Sequence, residues 1–459
     1  MIEELEKIVG KDNVISDNEL MESYSHDETP GFKTVPKAVV KPETPTQISE
    51  IMKLANTEKF SVTPRGGGTG LSGGAIPCEN GIVVSFERLN RIKEIDVKNL
   101  MSVVEPGVIT GDLAREVSRY GLLYPPDPAS IDSCTIGGNI AHCAGGARTV
   151  KYGTTRDYVV GLEAVIPNGD IIRCGGKLVK NVTGYSLTNL LIGSEGTLAI
   201  ITEAILKLLP MPGAKVSLLV PYSDLEQAIQ TVQEILTHKI IPSAIELMEG
   251  RAIKLVEEYL GRRLPFNIEG ATYCLLIEID GKRKEEVESD YEEIGEIALK
   301  NAAIDVLVAE DRLQQDKLWE ARRTISDALK SKSEVAHEDV VVPKDKISTL
   351  VRGIKELETK YQLKIVCYGH IGDGNVHVNV LRETIKEEEW KAKLSNLIKE
   401  LFDLTLSLGG MLSGEHGIGL AKKPYLSMAL SSQQIELMRQ IKSVFDPNNI
   451  LNPGKIFQI

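Results

Sequence analysis

Residues 64–74 read PRGGGTGLSGG, a stretch with six glycines that follows a predicted helix and precedes a predicted strand. A run of residues without side chains lets several backbone N–H groups converge on one anion, most often a phosphate or pyrophosphate. No Gly-Lys-Ser/Thr follows, which disfavours a P-loop NTPase, and the glycines leave a helix instead of opening one, which disfavours a Rossmann fingerprint. Taken alone, the stretch is equally compatible with a flexible surface loop.

The sequence on both sides of this stretch predicts a β-α-β beginning. Short β-branched runs predict three buried strands, at residues 37–41, 81–86 and 101–105. Between the first two lies one apolar helix face, formed by Ile48, Ile51, Met52 and Ala55. Thr46 is the predicted N-cap of that helix. From residue 106 to residue 202 glycine becomes frequent, which indicates tight turns and close backbone approach instead of long helices.

The second half of the chain has a different texture. The sequence LPMPG at residues 209–213 predicts a domain boundary. Ser223 is then the predicted cap of a helix whose apolar residues follow helical spacing up to residue 236. Further strands are predicted at residues 273–279 and 304–308, and further helices at residues 282–300, 387–408 and 432–445. This alternation favours an α+β domain built on an antiparallel sheet.

Composition limits the classes of function. A chain of 459 residues is long enough for two or three domains, and 42% hydrophobic with 26% charged residues is ordinary globular composition. The net charge of −12, without a basic stripe, argues against nucleic acid as a partner. No apolar stretch approaches the ~20 residues of a membrane helix, and the N-terminus lacks the features of a secretory signal, so the expected location is the cytoplasm. Six cysteines without a C-x-x-C spacing fit a reducing compartment and argue against a protein-borne iron–sulfur cluster.

Three further segments accompany the glycine stretch: PPDPAS at residues 125–130, TIGGNIAHCAGG at residues 135–146 and GSEGTL at residues 193–198. In this order and spacing the four segments resemble the FAD-binding domain of the vanillyl-alcohol oxidase type, the PCMH fold. Within that fold the sequence is most similar to the FAD-linked D-2-hydroxyacid dehydrogenases, which include D-lactate dehydrogenases and the D subunit of glycolate oxidase. The resemblance implies an α+β fold with a PCMH-type FAD-binding domain at residues 1–212, a substrate and metal-binding cap domain at residues 213–430, and a helical C-terminal segment at residues 431–459 that returns to the FAD domain.

The resemblance also implies which residues hold FAD. The pyrophosphate would lie against Arg65, Gly66, Gly67, Gly68, Thr69, Gly70 and Ser72. The flavin and adenosine would be lined by Pro126, Asp127, Ser130, Thr135, Gly137, Gly138, Asn139, Ala144, Gly146, Gly196 and Ile201. Asn452 would return to the isoalloxazine. Some relatives bind flavin covalently through His or Cys, and His142 and Cys143 lie close to the corresponding region, but the hydroxyacid branch implies noncovalent FAD.

Three of the seven histidines fall in two glycine-rich segments, GHIGDGNVHVN at residues 369–379 and GEHGIG at residues 414–419. A Gly-Asp-Gly turn between two strands would fold His370 back towards His377, and Glu415 could complete a two-histidine, one-carboxylate site with an open coordination position. Such donors suit Zn, Fe or Mn better than Ca. An isolated histidine is more often a turn or core residue bonded to backbone, but the Glu415–His416 pair favours the metal interpretation. The resemblance implies His370, His377 and Glu415 as ligands and His416 as the catalytic base.

These residue types suit the oxidation of a 2-hydroxy acid. A divalent ion on the substrate hydroxyl favours the alkoxide, a histidine can accept the proton at neutral pH, and a flavin supplies the redox chemistry that side chains lack. The substrate carboxylate needs a cation, which the resemblance assigns to Arg322, with Asn379 as a second contact. Arg322 and Arg323 alone would suggest a solvated basic pair. His337 stands where some relatives carry a lysine, which leaves the substrate side-chain preference open.

The sequence therefore predicts an FAD- and divalent-metal-dependent D-2-hydroxyacid dehydrogenase that converts D-lactate to pyruvate, with glycolate or D-2-hydroxyglutarate as alternative substrates. A non-catalytic flavin subunit of a larger redox complex would not need the histidine and glutamate set. A flavoenzyme for an ether-lipid precursor or an aromatic alcohol would lack the metal pattern. With no cysteine cluster and no membrane segment, the expected electron acceptor is a separate protein, electron-transferring flavoprotein. The alternatives are an iron–sulfur subunit, a cytochrome or a quinone.

Overall fold

The computed structural model describes residues 1–266 and 268–458. The first part of the chain alternates short helices and short strands. Its helices are α1 (Ile2–Val9), α2 (Pro45–Glu58), α3 (Thr110–Ser118), α4 (Ile136–His142), α5 (Thr149–Tyr152) and α6 (Leu187–Leu191). Its strands are β1 (Val14–Ile15), β2 (Ala38–Val40), β3 (Val62–Arg65), β4 (Ile82–Ser85), β5 (Ile92–Asp96), β6 (Met101–Val104), β7 (Leu122–Leu123), β8 (Val159–Val165), β9 (Ile171–Gly175), β10 (Ile200–Lys207) and β11 (Leu209–Pro210).

The second part carries longer elements. Its strands are β12 (Ala214–Tyr222), β13 (Ala244–Glu249), β14 (Tyr273–Gly281), β15 (Leu307–Ala309), β16 (Val335–Val341), β17 (Lys364–Gly369) and β18 (Asn375–Leu381). Its helices are α7 (Leu225–Thr237), α8 (Gly250–Leu260), α9 (Lys284–Lys300), α10 (Arg312–Arg323), α11 (Ile325–Lys332), α12 (Ile347–Tyr361), α13 (Glu387–Ser407), α14 (Leu426–Ala429) and α15 (Ser432–Phe445). The mixture of helices and antiparallel strands confirms the predicted α+β class.

The chain forms two compact units. The first unit comprises Met1–Gly145, Thr154–Met211 and Glu415–Ile459, and the second comprises Gly146–Gly153 and Pro212–Gly414. The break between Met211 and Pro212 falls within the LPMPG sequence that predicted a boundary. Each unit has its own sheets.

The first unit begins with a four-stranded sheet in the order β1-β2-β4-β3. Strands β2, β4 and β3 are parallel, and all three residues of β2 and all four of β4 are buried. Burial on both faces explains why these strands read as continuous apolar runs. Helix α2 covers this sheet with the predicted apolar face, but its N-cap is Thr44, not Thr46. Pro45 lacks an N–H and therefore suits the first helical position, so the helix begins two residues earlier in the chain than predicted.

The first unit also contains a five-stranded sheet in the order β5-β6-β10-β8-β9. All its pairings are antiparallel. The C-terminal segment joins the first sheet, because Leu451 forms a parallel bridge with Val62 of β3. Asn452 N–H donates to the Val62 carbonyl at 2.7 Å. The chain end thus pairs with the strand that leads into the glycine stretch.

The second unit is built on a seven-stranded antiparallel sheet in the order β15-β12-β14-β13-β17-β18-β16. Helices α8, α10 and α11 pack on one face of it in a single apolar core. Helix α7 is capped by Asp224, whose carboxylate accepts from the N–H groups of Glu226 and Gln227, and not by Ser223. Among the described residues, no helix is long and apolar enough to cross a membrane.

Candidate functional site

In the first unit, the glycine stretch packs tightly on the segment around Thr135. A Cβ on Gly66 would lie 2.3 Å from Thr135 Oγ1, and a Cβ on Gly67 would lie 2.2 Å from the Ser133 carbonyl oxygen. Distances this short exclude any side chain at either position. The two segments that the resemblance assigns to FAD therefore lie against each other, and glycine is required for that contact.

Helix α4 begins directly beside this contact. Thr135 is its N-cap and accepts from Gly138 N–H at 3.2 Å. Asn139 is buried and donates from its side chain to Thr110 Oγ1 at 2.7 Å, which ties α4 to the start of α3. Asn139 thus has a structural role, a hydrogen bond between two helices, that the sequence did not indicate.

The C-terminal segment reaches the same region through Asn452. Its side-chain amide donates to the carbonyls of Gly74 at 3.0 Å and Glu195 at 2.9 Å. Gly196 has a φ of +66°, and a Cβ there would lie 2.8 Å from Pro64 Cγ. Asn452 therefore connects the glycine stretch to the GSEGTL segment.

Several buried polar atoms in this region have no hydrogen-bond partner within the chain. Among the described residues they include Ser72 Oγ, His142 Nδ1 and Asn452 Oδ1. A buried polar group without a partner is costly, so such a cluster fits a site that receives a polar ligand. A Cβ on Gly74 would lie 3.0 Å from His142, which shows how closely His142 approaches the glycine stretch. The residues present are compatible with a bound dinucleotide.

The other residues expected at FAD have the following positions. Arg65 is buried and donates to the carbonyls of His26 at 2.7 Å and Ser23 at 2.9 Å, so part of its guanidinium holds the N-terminal segment. Gly137 lies in the first turn of α4, and Ile201 lies near the start of β10, the central strand of the five-stranded sheet. The remaining residues of the first unit lie in loops and turns: Gly68, Thr69, Gly70, Pro126, Asp127, Ser130 and Ala144. Gly146 differs, because it belongs to the second unit.

In the second unit, the two histidines of GHIGDGNVHVN face each other. Strands β17 and β18 are antiparallel neighbours with Tyr368 opposite His377, and His370 follows the end of β17. The Nε2 atoms of His370 and His377 are 3.4 Å apart, and both side chains are largely buried. Two nitrogens that each lie about 2.0–2.1 Å from a tetrahedral zinc are separated by about 3.4 Å. The donor pair therefore has the spacing that a shared divalent metal requires.

A buried carboxylate that the sequence reasoning missed lies beside this pair. Glu246 on β13 is fully buried, its Oε1 is 2.6 Å from His370 Nδ1, and its Oε2 accepts from Arg322 Nε at 2.6 Å. Arg322 is therefore a buried, paired residue and not one of a solvated basic pair, while the neighbouring Arg323 is exposed. A local signal for Glu246 exists, because it is a charged residue in the otherwise apolar sequence AIELM at residues 244–248, but no strand was predicted there; the structure places it on the buried strand β13.

Asn379 and His337 lie opposite each other on β18 and β16. His337 Nδ1 is 2.6 Å from Asn379 Oδ1, and Asn379 Nδ2 donates to the Val366 carbonyl at 3.0 Å. Because Asn379 lies two residues after His377 on β18, the two side chains point to the same face of the sheet. The residue that departs from the family pattern thus contacts a residue expected at the substrate.

The segment that leads into Glu415 and His416 is fixed by Asp339 of the second unit. Its Oδ2 accepts from Ser413 Oγ and Gly414 N–H, each at 3.0 Å, and its Oδ1 accepts from Asn375 Nδ2 at 2.6 Å. Asp339 is fully buried. Asp339 was also missed from the sequence, although it precedes an apolar run in β16.

The segment that follows His416 is fixed within the first unit. Glu195 accepts hydrogen bonds from Ile418 N–H at 2.8 Å and Gly419 N–H at 2.7 Å. Ser72 accepts from Leu420 N–H at 2.7 Å through its backbone carbonyl. His416 Nε2 lies 3.9 Å from Glu415 Oε1. The GEHGIG segment is therefore held by backbone contacts at residues 418–420.

Comparison with known proteins places the chain in a family. The pattern described as "FAD linked oxidases, C-terminal domain" matches residues 211–456, and the pattern described as "FAD binding domain" matches residues 36–175. The chain belongs to the FAD-linked oxidases. As a member of this family it is an FAD-binding oxidoreductase, and the predicted resemblance to the D-2-hydroxyacid dehydrogenase group is confirmed.

Relatives of this FAD-linked oxidase carry three different substrate names. The chain is 44% identical over 456 residues to "Glycolate oxidase subunit GlcD" of Bacillus subtilis, covering 99% of this chain and 96% of that protein. It is 40% identical to "D-lactate dehydrogenase" of Anaerostipes hadrus, covering 99% and 97%. It is 34% identical to "D-2-hydroxyglutarate dehydrogenase" of Stutzerimonas stutzeri, covering 100% and 98%.

A solved structure supports the fold of this FAD-linked oxidase. p-Cresol methylhydroxylase superposes with a TM-score of 0.82 at 18% identity, covering 100% of this chain and 96% of that chain. The predicted PCMH-type fold is therefore confirmed.

Proposed function

We propose that this FAD-linked oxidase is a divalent-metal-dependent D-2-hydroxyacid dehydrogenase that oxidises D-lactate to pyruvate. The observation that carries the proposal is the His370–His377 pair, whose Nε2 atoms are 3.4 Å apart and lie beside the Glu246–Arg322 ion pair. A metal-donor pair next to a buried arginine provides both parts that a 2-hydroxy carboxylate needs, a Lewis-acid position and a cation.

The proposed ligands are His370, His377 and Glu415, with Zn, Fe or Mn as the ion. Imidazole nitrogen and carboxylate oxygen are donors that these metals accept, and three protein ligands leave a position for substrate. Glu415 directly follows Gly414, whose amide is fixed by Asp339. Bound FAD supplies the hydride acceptor, and the bound metal supplies a Lewis acid that favours loss of the hydroxyl proton.

The proposed roles of the other residues follow from their chemistry. Arg322 binds the substrate carboxylate through its guanidinium, which is desolvated and therefore strengthens a charge-assisted hydrogen bond. Asn379 is the second substrate contact. His416 accepts the hydroxyl proton, because imidazole titrates near neutral pH.

For FAD we propose the noncovalent contacts implied by the resemblance. Arg65, the glycines of residues 66–70 and Ser72 hold the pyrophosphate, and Thr135, Gly138, Gly196 and Asn452 are among the residues that line the rest. The unpartnered Ser72 Oγ and Asn452 Oδ1 support this assignment. Electrons then leave to a separate protein, for which we propose electron-transferring flavoprotein, with an iron–sulfur subunit as the alternative.

Anaerobic reduction of the bound flavin tests the proposal. The purified protein, with FAD and metal content measured, is mixed separately with D-lactate, L-lactate, glycolate and D-2-hydroxyglutarate while the absorbance of oxidised flavin is followed. Rapid bleaching by D-lactate and not by L-lactate is expected. No bleaching by any of the four acids, with FAD and metal present, contradicts the proposal and favours a non-catalytic flavin subunit.

Glycolate is a second candidate substrate, because the relative at 44% identity is named for glycolate oxidase. Faster bleaching by glycolate than by D-lactate would select it. An ether-lipid precursor or an aromatic alcohol is disfavoured, since the relatives at 34–44% identity are named for 2-hydroxy acids.

A further inference from the structure

The carboxylate of Glu246 joins two residues that are far apart in the chain. Its two oxygens are each 2.6 Å from a nitrogen, one from His370 Nδ1 and the other from Arg322 Nε. The carboxylate is completely buried, and His370 and Arg322 lie 124 and 76 residues away in sequence. A single side chain therefore sets the positions of both partners.

The contact with His370 fixes which ring nitrogen carries hydrogen. An ionised carboxylate only accepts hydrogen bonds, so in a neutral His370 the hydrogen must be on Nδ1. The lone pair is then on Nε2, the atom that faces His377 Nε2. A hydrogen bond from the distal nitrogen to a carboxylate is the arrangement that orients histidine ligands and raises their basicity.

The contact with Arg322 fixes the plane of the guanidinium. Arg322 is bonded through Nε, and its guanidinium carbon lies 4.6 Å from the centre of the Tyr368 ring. Tyr368 is the β17 residue opposite His377. The guanidinium is thus held between the Glu246 carboxylate on β13 and the Tyr368 ring on the neighbouring strand β17, which His370 directly follows.

We propose that Glu246 is the positioning residue of this site: one buried carboxylate sets the tautomer of His370 for metal binding and the orientation of Arg322 for the substrate carboxylate. This inference rests on the proposed function for the roles of His370 and Arg322. Glu246 itself touches neither metal nor substrate in this assignment.

Replacing the carboxylate by an amide of the same size, Glu246→Gln, has a definite consequence. Arginine can only donate, so the single amide oxygen is expected to pair with Arg322, and the amide NH2 then faces His370. His370 can accept that hydrogen bond only at Nδ1, which moves its own hydrogen to Nε2 and blocks the metal-binding lone pair.

The first test is the tautomer of His370 in FAD-loaded, metal-stripped protein labelled with [15N]histidine. A spectrum of H370A assigns the signal among seven histidines. Hydrogen on Nδ1 in the unmodified protein and on Nε2 in E246Q is expected. Hydrogen on Nε2 in the unmodified protein would overturn the proposal without any variant.

The second test is metal affinity, measured by competition with a zinc-chelating dye. Loss of an outer hydrogen-bond partner of a ligand typically lowers affinity 10–100-fold, and about that loss is expected for E246Q. Glu246→Asp keeps an acceptor for His370 but is one methylene shorter, so it should retain the Nδ1–H tautomer with a smaller loss of affinity. E246D also serves if E246Q does not fold.

Glu278 offers a matched control on β14 of the same sheet. It is a second buried glutamate, ion-paired with Lys215 at 3.0 Å and Arg148 at 3.4 Å, and those cations are partly exposed. E278Q should keep the affinity for zinc and the tautomer of His370. Equal losses in E278Q and E246Q would show a general effect of removing buried charge and would refute the proposal.

These readouts separate the inference from the proposed function. Tautomer and zinc affinity are measured without substrate, so they decide the role of Glu246 even if no 2-hydroxy acid reduces the flavin. If D-lactate does reduce it, E246Q should also raise the KM for D-lactate about tenfold, whereas E278Q leaves it unchanged. Unchanged tautomer and affinity in E246Q, together with normal flavin reduction, would sink only the positioning role.

Discussion

Glu195 accepts a hydrogen bond of 2.7 Å from the backbone N–H of Gly419 through its Oε2. Its other oxygen, Oε1, accepts from Ile418 N–H at 2.8 Å. Glu195 belongs to the GSEGTL segment, and the two amides lie two and three residues after His416. A residue in a segment assigned to FAD therefore restrains the backbone that carries the proposed base.

Glu195→Gln should lower the rate of flavin reduction by substrate while FAD remains bound. The amide keeps one acceptor oxygen, so one of the two N–H groups loses its partner and the segment after His416 loosens. Small misplacement of a reacting group can cost up to about 100-fold in rate, and a loss of about 10- to 100-fold is expected. Stopped-flow reduction with D-lactate measures it. E203Q, at a partly exposed ion pair with Lys93, is the control and should be unaffected.

His416→Asn should abolish flavin reduction by the hydroxy acid but leave FAD content unchanged. Without the imidazole no group in this assignment accepts the hydroxyl proton, and loss of a general base typically costs 100- to 10,000-fold. The observed quantity is the anaerobic reduction rate, with the flavin-to-protein ratio as a check. Reduction at the normal rate in H416N would eliminate His416 as the base.

The turn that joins His370 to His377 was predictable from sequence, because its signals are local. A Gly-Asp-Gly turn between apolar runs predicts a hairpin. The structure has β17 and β18 as antiparallel neighbours, with the Nε2 atoms of His370 and His377 3.4 Å apart. The period of two also placed Asn379 on the same face as His377. No tertiary information was needed for these relationships.

The contacts of Glu246 were not predictable in the same way. Its partners lie 76 and 124 residues away, on a helix and after a strand that only the sheet order brings together. Even local signals failed at two helix starts, where Thr44 and Asp224 are the caps in place of Thr46 and Ser223. In each case two residues at most two positions apart are both of a type that caps helices. Residue type alone does not decide which of them is the N-cap.

Arg322→Lys should weaken D-lactate binding even though the positive charge is kept. An ammonium group lacks the planar fork of donors, so it cannot hold Glu246 and a substrate carboxylate in the same geometry. A rise in KM of about 10- to 100-fold is expected, from hydrogen bonds to charged groups worth about 1.5–3 kcal/mol.

The neighbouring arginine supplies the control for this change. Arg323 is exposed and lies over the Trp319 ring at 5.8 Å, so R323K should leave the KM for D-lactate within about twofold. Steady-state kinetics on both variants decide the matter, and equal effects of R322K and R323K would rule out a specific substrate role for Arg322.

Removal of the metal should stop turnover. Dialysis against a strong chelator, with FAD retained, is expected to lower the rate of flavin reduction by at least about 100-fold, and adding back Zn, Mn or Fe should restore it with the native ion most effective. H377A should fail to recover activity at any of these metals. H238A alters an exposed histidine at the end of α7 and should behave as the unmodified protein. Full activity of metal-free protein would refute the metal dependence.

Folding stability should depend on pH through Glu278. Burial alone would raise the pKa of its carboxyl, but the positive charges of Arg148 and Lys215 outweigh burial and hold the pKa below the usual 4.5. The unfolded chain therefore binds the proton first as pH falls, so the stabilisation from Glu278 is fully present above about pH 4.5 and is lost as pH falls through the lowered pKa.

E278Q lacks this titration. Urea unfolding of both proteins should give a difference in unfolding free energy that is constant near neutral pH and shrinks below pH 4.5, and a difference that grows on acidification would contradict the assignment.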